Sequence, residues 1–94
     1  MPRISQINNE DAQVIALKAL GFLVNDEERI GRFMNITGMT PQEIRNQAAD
    51  PAFLAGVLEH LRGDQSLLLT FAESEGIDPG LIDAAGLCLS GDPP

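Results

Sequence analysis

Apolar residues recur every three to four positions in six separate stretches of this chain, and the polar residues between the stretches are those that start and stop helices. The first stretch, from about Asn9 to Val24, puts Ala12, Ile15, Ala16, Ala19, Leu20 and Leu23 on one stripe. Glu10 and Asp11 fall in its first turn, where the positive end of the helix macrodipole favours acids. Val14, Leu17, Phe22 and Val24 leave little of the other side polar, so this helix is expected at the centre of the fold. Asn25 is the expected cap of a second helix, with Glu28 three residues on completing a capping-box-like start and Gly38 suited to the position after its end. Ile30, Phe33, Met34 and Thr37 share its inward face, and Glu28 with Arg32 has the spacing of a helical ion pair.

The segment TGMTPQEIR, Thr37 to Arg45, reads as the elbow into a short third helix, Pro41 to about Ala49. Thr40 is placed to cap it, Pro41 takes the first helical position, Glu43 can reach back to the cap, and Met39 can staple to Ile44. Asp50-Pro51 repeats the device for a fourth helix, with Phe53, Leu54, Val57, Leu58 and Leu61 facing inward and Gly63 at its end. Asp64 opens a fifth helix that closes at Gly76. Its run Leu67 to Ala72 is apolar enough for a buried strand, but it contains no valine or isoleucine and has no second strand to pair with. Asp78-Pro79 starts a sixth helix, stapled by Ile77 and Ile82 and ending near Leu89 to Gly91.

Helices this short draw their stability from one another. The pattern therefore predicts an all-α fold, a compact orthogonal bundle of about six short helices, with helices 1 and 5 the most buried. It predicts one helical domain over residues 1–94, with residues 1–8 and 91–94 as loose ends.

Charge narrows the partners. Fourteen acidic residues against six basic ones give a net charge of −8. Residues 1–47 hold five basic and six acidic side chains, and residues 48–94 hold one and eight, so the second half carries −7 of the total. This balance disfavours nucleic acid and anionic membranes, and it favours a partner with a basic patch. The most apolar run, Val14 to Val24, is interrupted by Lys18 and is well short of the ~20 residues that span a bilayer. The single cysteine, Cys88, has no partner for an intrachain disulfide, which fits a reducing, cytoplasmic setting.

Against this background the chemistry-bearing residues have modest readings. His60 lies at the edge of the fourth helix's stripe, and with Cys88 as the sole other soft ligand it does not complete a metal shell. A Cys88–His60 nucleophile pair has nothing in the sequence to bring it together. Glu73, Glu75, Asp78 and Asp83 lack the spacing of a calcium loop and read as a solvated face. No catalytic residue, cofactor or metal site is therefore expected. Leu67 to Leu69 and Ile82 to Leu89 are apolar enough to serve as either core, hydrophobic groove or homodimer contact. Arg29, Arg32 and Arg45 form the one locally basic segment, residues 29–47, and are the expected partner-binding residues. An alternative use of residues 29–49 is a helix-turn-helix, with 29–37 supporting a recognition helix over 41–49. Gln42, Arg45, Asn46 and Gln47 followed by Asp50 make a poor phosphate-binding set for it.

The segments AQVIALKALGFL, ERIGRFMNITGMTPQEIR and LLLTFAESEGIDP resemble a family of small bacterial proteins known as a domain of unknown function. The resemblance spans roughly residues 10–91. It implies a stand-alone, cytoplasmic helical domain of bacterial origin and carries over no activity, substrate or catalytic residue. Residues and resemblance together lead to the expectation of a small acidic, non-catalytic protein-interaction module.

Overall fold

A computed structural model describes residues 7–90 of the chain, and its helices are α1 (Asn9–Val24), α2 (Glu27–Thr37), α3 (Pro41–Gln47), α4 (Pro51–Arg62), α5 (Gln65–Glu75) and α6 (Pro79–Ser90). Each begins where a short polar side chain reaches its free backbone N–H groups. Asn8 Oδ1 accepts from Asp11 N at 2.7 Å, and Asp26 accepts from both Glu28 N and Arg29 N. Asp50 accepts from Ala52 N, Asp64 from Leu67 N, and Asp78 from Gly80 N. Thr40 and Glu43 complete the expected capping box at the start of α3, with Glu43 N donating to Thr40 Oγ1 and Thr40 N donating to Glu43 Oε1. The fold is all-α among the described residues.

Two boundaries differ from expectation. Asp26, not Asn25, caps α2: Asp26 has the extended backbone that a cap requires, whereas Asn25 is still helical and donates its N–H to Gly21 O as the closing residue of α1. The Glu28 capping box is therefore absent, because Glu28 stands one position too early in α2. Helix α3 closes at Gln47, with Ala48 after it, two residues short of the expected end. Gly38 and Gly76 end α2 and α5 in the left-handed conformation, at φ 73° and 66°, where any other side chain would be strained. Ile7 and Asn8, expected to be loose, are tied down: Ile7 packs against the core and Asn8 is the cap of α1. The rest of the expected loose ends lies outside the described residues.

Helices α1, α4 and α6 pack against one another, α2 leans on α1, and α5 leans on α4 and α6. Small side chains permit the close approach: α1 buries Ala12, Ala16 and Ala19, and α6 buries Ala84, Ala85 and Gly86. Helix axes with such contacts can come near the short end of the ~8–10 Å range. Larger groups fill the remainder, with Leu23, Phe33, Leu54, Val57, Leu58, Leu61, Phe71 and Ile82 fully buried. No polar or charged residue is buried among the described residues.

The expectation that helices 1 and 5 are the most buried needs correction. The correction falls on helix 5: α1 and α4 each bury six side chains, while α5 buries only Leu68, Phe71 and Ala72. A helix cannot turn consecutive apolar residues to one side, so of the run Leu67 to Leu69 the first is half-buried and Leu69 is exposed. Helix α1 buries its main stripe but is not enclosed, because Val14, Leu17 and Val24 are exposed. In α6, Leu87 is exposed while Leu81, Cys88 and Leu89 are half-buried against the core.

One polar clamp crosses the α4–α6 seam. Arg62 donates from Nε to Asp83 on α6 at 3.1 Å and pairs with Glu59 one turn back on α4. Its stem lies directly over Gly86, where an added Cβ would sit 2.9 Å from Arg62 Cδ.

Because Thr40 holds both ends of the capping box, Thr40→Ala is expected to destabilise the fold by about 1 kcal/mol. Leu58→Ala, in the fully buried part of α4, is expected to cost about 2–5 kcal/mol. Urea unfolding followed by circular dichroism measures both.

Candidate functional site

Burial of Phe33 on α2 sets the orientation of that helix, and with it the positions of the arginines. Arg29 lies against the fold: its guanidinium carbon is 4.1 Å from the centre of the Phe22 ring, and Nη1 is 3.8 Å from Asp26. Cation–π contact and a nearby carboxylate both hold it in place. Arg32 is far freer, with its side chain 70% exposed and its single ion pair among the described residues, to Asp64, stretched to 3.9 Å. Arg45 is exposed on α3 and does not line the concavity that the other two share. The structure thus brings Arg29 and Arg32 to one surface and leaves Arg45 outside it.

Two adjoining open concavities flank Arg32. One, of about 510 Å³, is lined by Arg29, Gly31, Arg32 and Asn35 of α2, by His60 of α4 and by Leu67 of α5, with Glu27 and Glu28 at its rim. The other, of about 620 Å³, runs from Arg32 and Ile36 to Glu59, His60 and the residues that begin α5. Arg32 and His60 belong to both. His60 stands edge-on to Phe33, with ring centres 5.1 Å apart, and its Nε2 is buried without a hydrogen-bond partner among the described residues. Asp64 serves two structures at once, as the cap of α5 and as the carboxylate nearest Arg32. No three His, Cys, Asp or Glu side chains gather to hold a metal ion among the described residues. Cys88 is half-buried against the core and lines neither concavity.

At the elbow, Gln42 Nε2 donates to Asn46 Oδ1, so two polar side chains of α3 bind each other along its exposed face. Thr37 Oγ1 donates to Phe33 O and accepts from Met39 N, which fixes the chain as it leaves α2. Helix α3 itself has seven residues.

A family model described as "Protein of unknown function (DUF3572)" matches residues 9–92. The chain belongs to this family. Nothing among the curated proteins or the solved structures matches it. The family match therefore names the kind of chain and leaves its role to be argued from the DUF3572 fold itself. No helix among the described residues is long and apolar enough to cross a membrane.

Sequence reasoning found Arg29 and Arg32 of this DUF3572 chain but missed Asn35, Asp64 and Leu67 as their neighbours. Asp64 caps α5 and Leu67 lies in its first turn, and only the packing of α5 beside α4 brings them to Arg32. The one available signal was His60, a polar side chain at the edge of an apolar stripe, which marks where a helix face meets its neighbours.

The His60 imidazole is held below its ordinary pKa of 6.5, chiefly because burial penalises its charged form. Asp64 opposes this shift and Arg32 adds to it. A folded-state pKa below the unfolded one means that the unfolded chain binds the proton better. Stability from this group is thus fully present above about pH 6.5 and falls as pH drops through the unfolded pKa toward the folded one. Thermal unfolding between pH 7.5 and 5.5 is expected to show this decline, and His60→Phe is expected to flatten it.

Proposed function

We propose that this chain is a non-catalytic protein-interaction module that docks a carboxylate-bearing segment of a partner into the paired concavities around Arg32. The observation that carries this reading is Arg32 itself, an exposed cation at the shared edge of two hollows, held by one long ion pair. Its release is inexpensive, because Asp64 keeps its capping bond to Leu67 N when the guanidinium turns to another carboxylate. Leu67 and Ile36 offer apolar contact on either side, and Asn35 can donate or accept beside the arginine. Arg29 is fixed against Phe22 and supplies field rather than a mobile contact. Arg45 acts as an outlying contact for a partner larger than one segment.

The charge of the second half, −7, favours a partner whose surroundings are basic. A cytoplasmic setting is part of the same reading, supported by a half-buried Cys88 without a second cysteine. A helix-turn-helix use of α2 and α3 draws less support, since Arg29 is fixed against Phe22 and Asp26, and Gln42 and Asn46 are engaged with each other.

A test uses a short peptide with leucine and glutamate one helical turn apart, titrated into isotope-labelled protein and followed by amide shifts. Shifts are expected at Gly31, Asn35 and Leu67. Changing the peptide glutamate to glutamine, or Arg32→Glu in the protein, is expected to weaken binding about 10- to 100-fold, the worth of one charge-assisted hydrogen bond. Arg45→Glu is expected to have a small effect. Amides that do not move with the peptide, or binding indifferent to Arg32→Glu, would remove the support for this site.

A further inference from the structure

The outward face of α1 has no role in the fold or in the arginine site, yet it is patterned. Opposite the buried stripe lie Glu10, Val14, Leu17, Gly21 and Val24, at alternating spacings of four and three. That is the spacing of the seam between two helices packed side by side. Val14, Leu17 and Val24 are 47%, 46% and 53% exposed, so this seam is left uncovered by the described residues.

Gly21 sharpens the point. A helix-interior glycine costs roughly 1 kcal/mol relative to alanine. Gly21 has no left-handed backbone to justify it, and a Cβ added there would meet nothing within 4 Å. Its own fold gives no return for the missing side chain, whereas a second helix crossing the seam could use the gap.

Charge selects the occupant. Asp11 and Lys18 flank the same side of the seam, seven residues and thus roughly 10 Å apart along the axis, too far to pair with each other. Lys18 is the single lysine of the chain, and it makes no ion pair among the described residues. A second copy laid antiparallel brings each Lys18 to the other copy's Asp11, twice over, by symmetry. A parallel copy leaves both unpaired and sets the two Glu10 carboxylates against each other.

We infer that the outer face of α1 is a self-association surface on which a second copy of this chain packs its own α1 antiparallel. Val14 then meets the second copy's Leu17, and Gly21 receives the second copy's Glu10. The same register carries Val24 toward the second copy's Ile7, which with Val14 and Leu81 lines an open hollow beside the seam. Helix α1 is about 24 Å long, so the contact falls below the ~1,200 Å² of a standard interface. The dimer is accordingly weak and concentration-dependent. This surface is separate from the Arg32 concavities, and either can fail without the other.

Sedimentation velocity on the full chain, from micromolar to millimolar concentration, tests it. A rising dimer fraction is expected, abolished by Leu17→Glu with circular dichroism and melting temperature retained. Lys18→Asp is expected to weaken the dimer about tenfold, and the double variant Asp11→Lys, Lys18→Asp to restore it. A chain that stays monomeric throughout overturns the proposal. So does a dimer indifferent to Leu17→Glu, and a loss with Lys18→Asp that the double variant fails to rescue overturns the antiparallel pairing.

Discussion

The close contact of α1, α4 and α6 is the interaction on which everything else in this molecule rests. None of the helices is long enough to be stable by itself in water. The alanines of α1 and α6 let this trio pack tightly, and Leu54, Val57, Leu58 and Leu61 of α4 fill the space between with no polar atom to satisfy. Helix α2 reaches the trio chiefly through Phe33, and α3 through Ile44 alone. Their outer surfaces are therefore constrained by very few side chains. The groove around Arg32 exists because α2 and α5 are both peripheral, each leaning on the trio and leaving a hollow where they approach.

Helix capping explains part of the acidity. Asp26, Asp50, Asp64 and Asp78 are each spent on a helix start, and three of these lie in the acidic second half. Their charge is well placed there, since a carboxylate at a helix N-terminus meets the positive end of the macrodipole. What looks in composition like a polyanionic face is thus partly the by-product of a fold with many short helices and many starts. Glu73 and Glu75, exposed on α5, have no such duty.

Local rules made the helices legible and the packing illegible. Thr40, Pro41 and Glu43 form a start signal within four residues, and the structure realises it; Gly38 and Gly76 likewise end helices where only glycine is at ease. Asn25 and Asp26 show the limit, because adjacent residues both able to cap are separated only by where the previous helix runs out. Hydrophobic density misled at α5, whose leucine run looked central yet spreads around the helix; at α1 it marked a central helix but not the exposed side formed by Val14, Leu17 and Val24. In both cases the period of the helix was readable, but the number of neighbours was not. The arginine site was half legible for the same reason: Arg29 and Arg32 share a helix and hence a side, while Asp64 and Leu67 join them through tertiary contact alone.

The Arg62 stem resting on Gly86 makes two distant positions a single choice. With glycine at 86, an arginine at 62 lies across α6 and reaches Asp83; a Cβ at 86 would sit 2.9 Å from Arg62 Cδ, so the stem would have to shift to make room. A change at 86 and a change at 62 are therefore expected to be non-additive in stability, since the two side chains compete for one space.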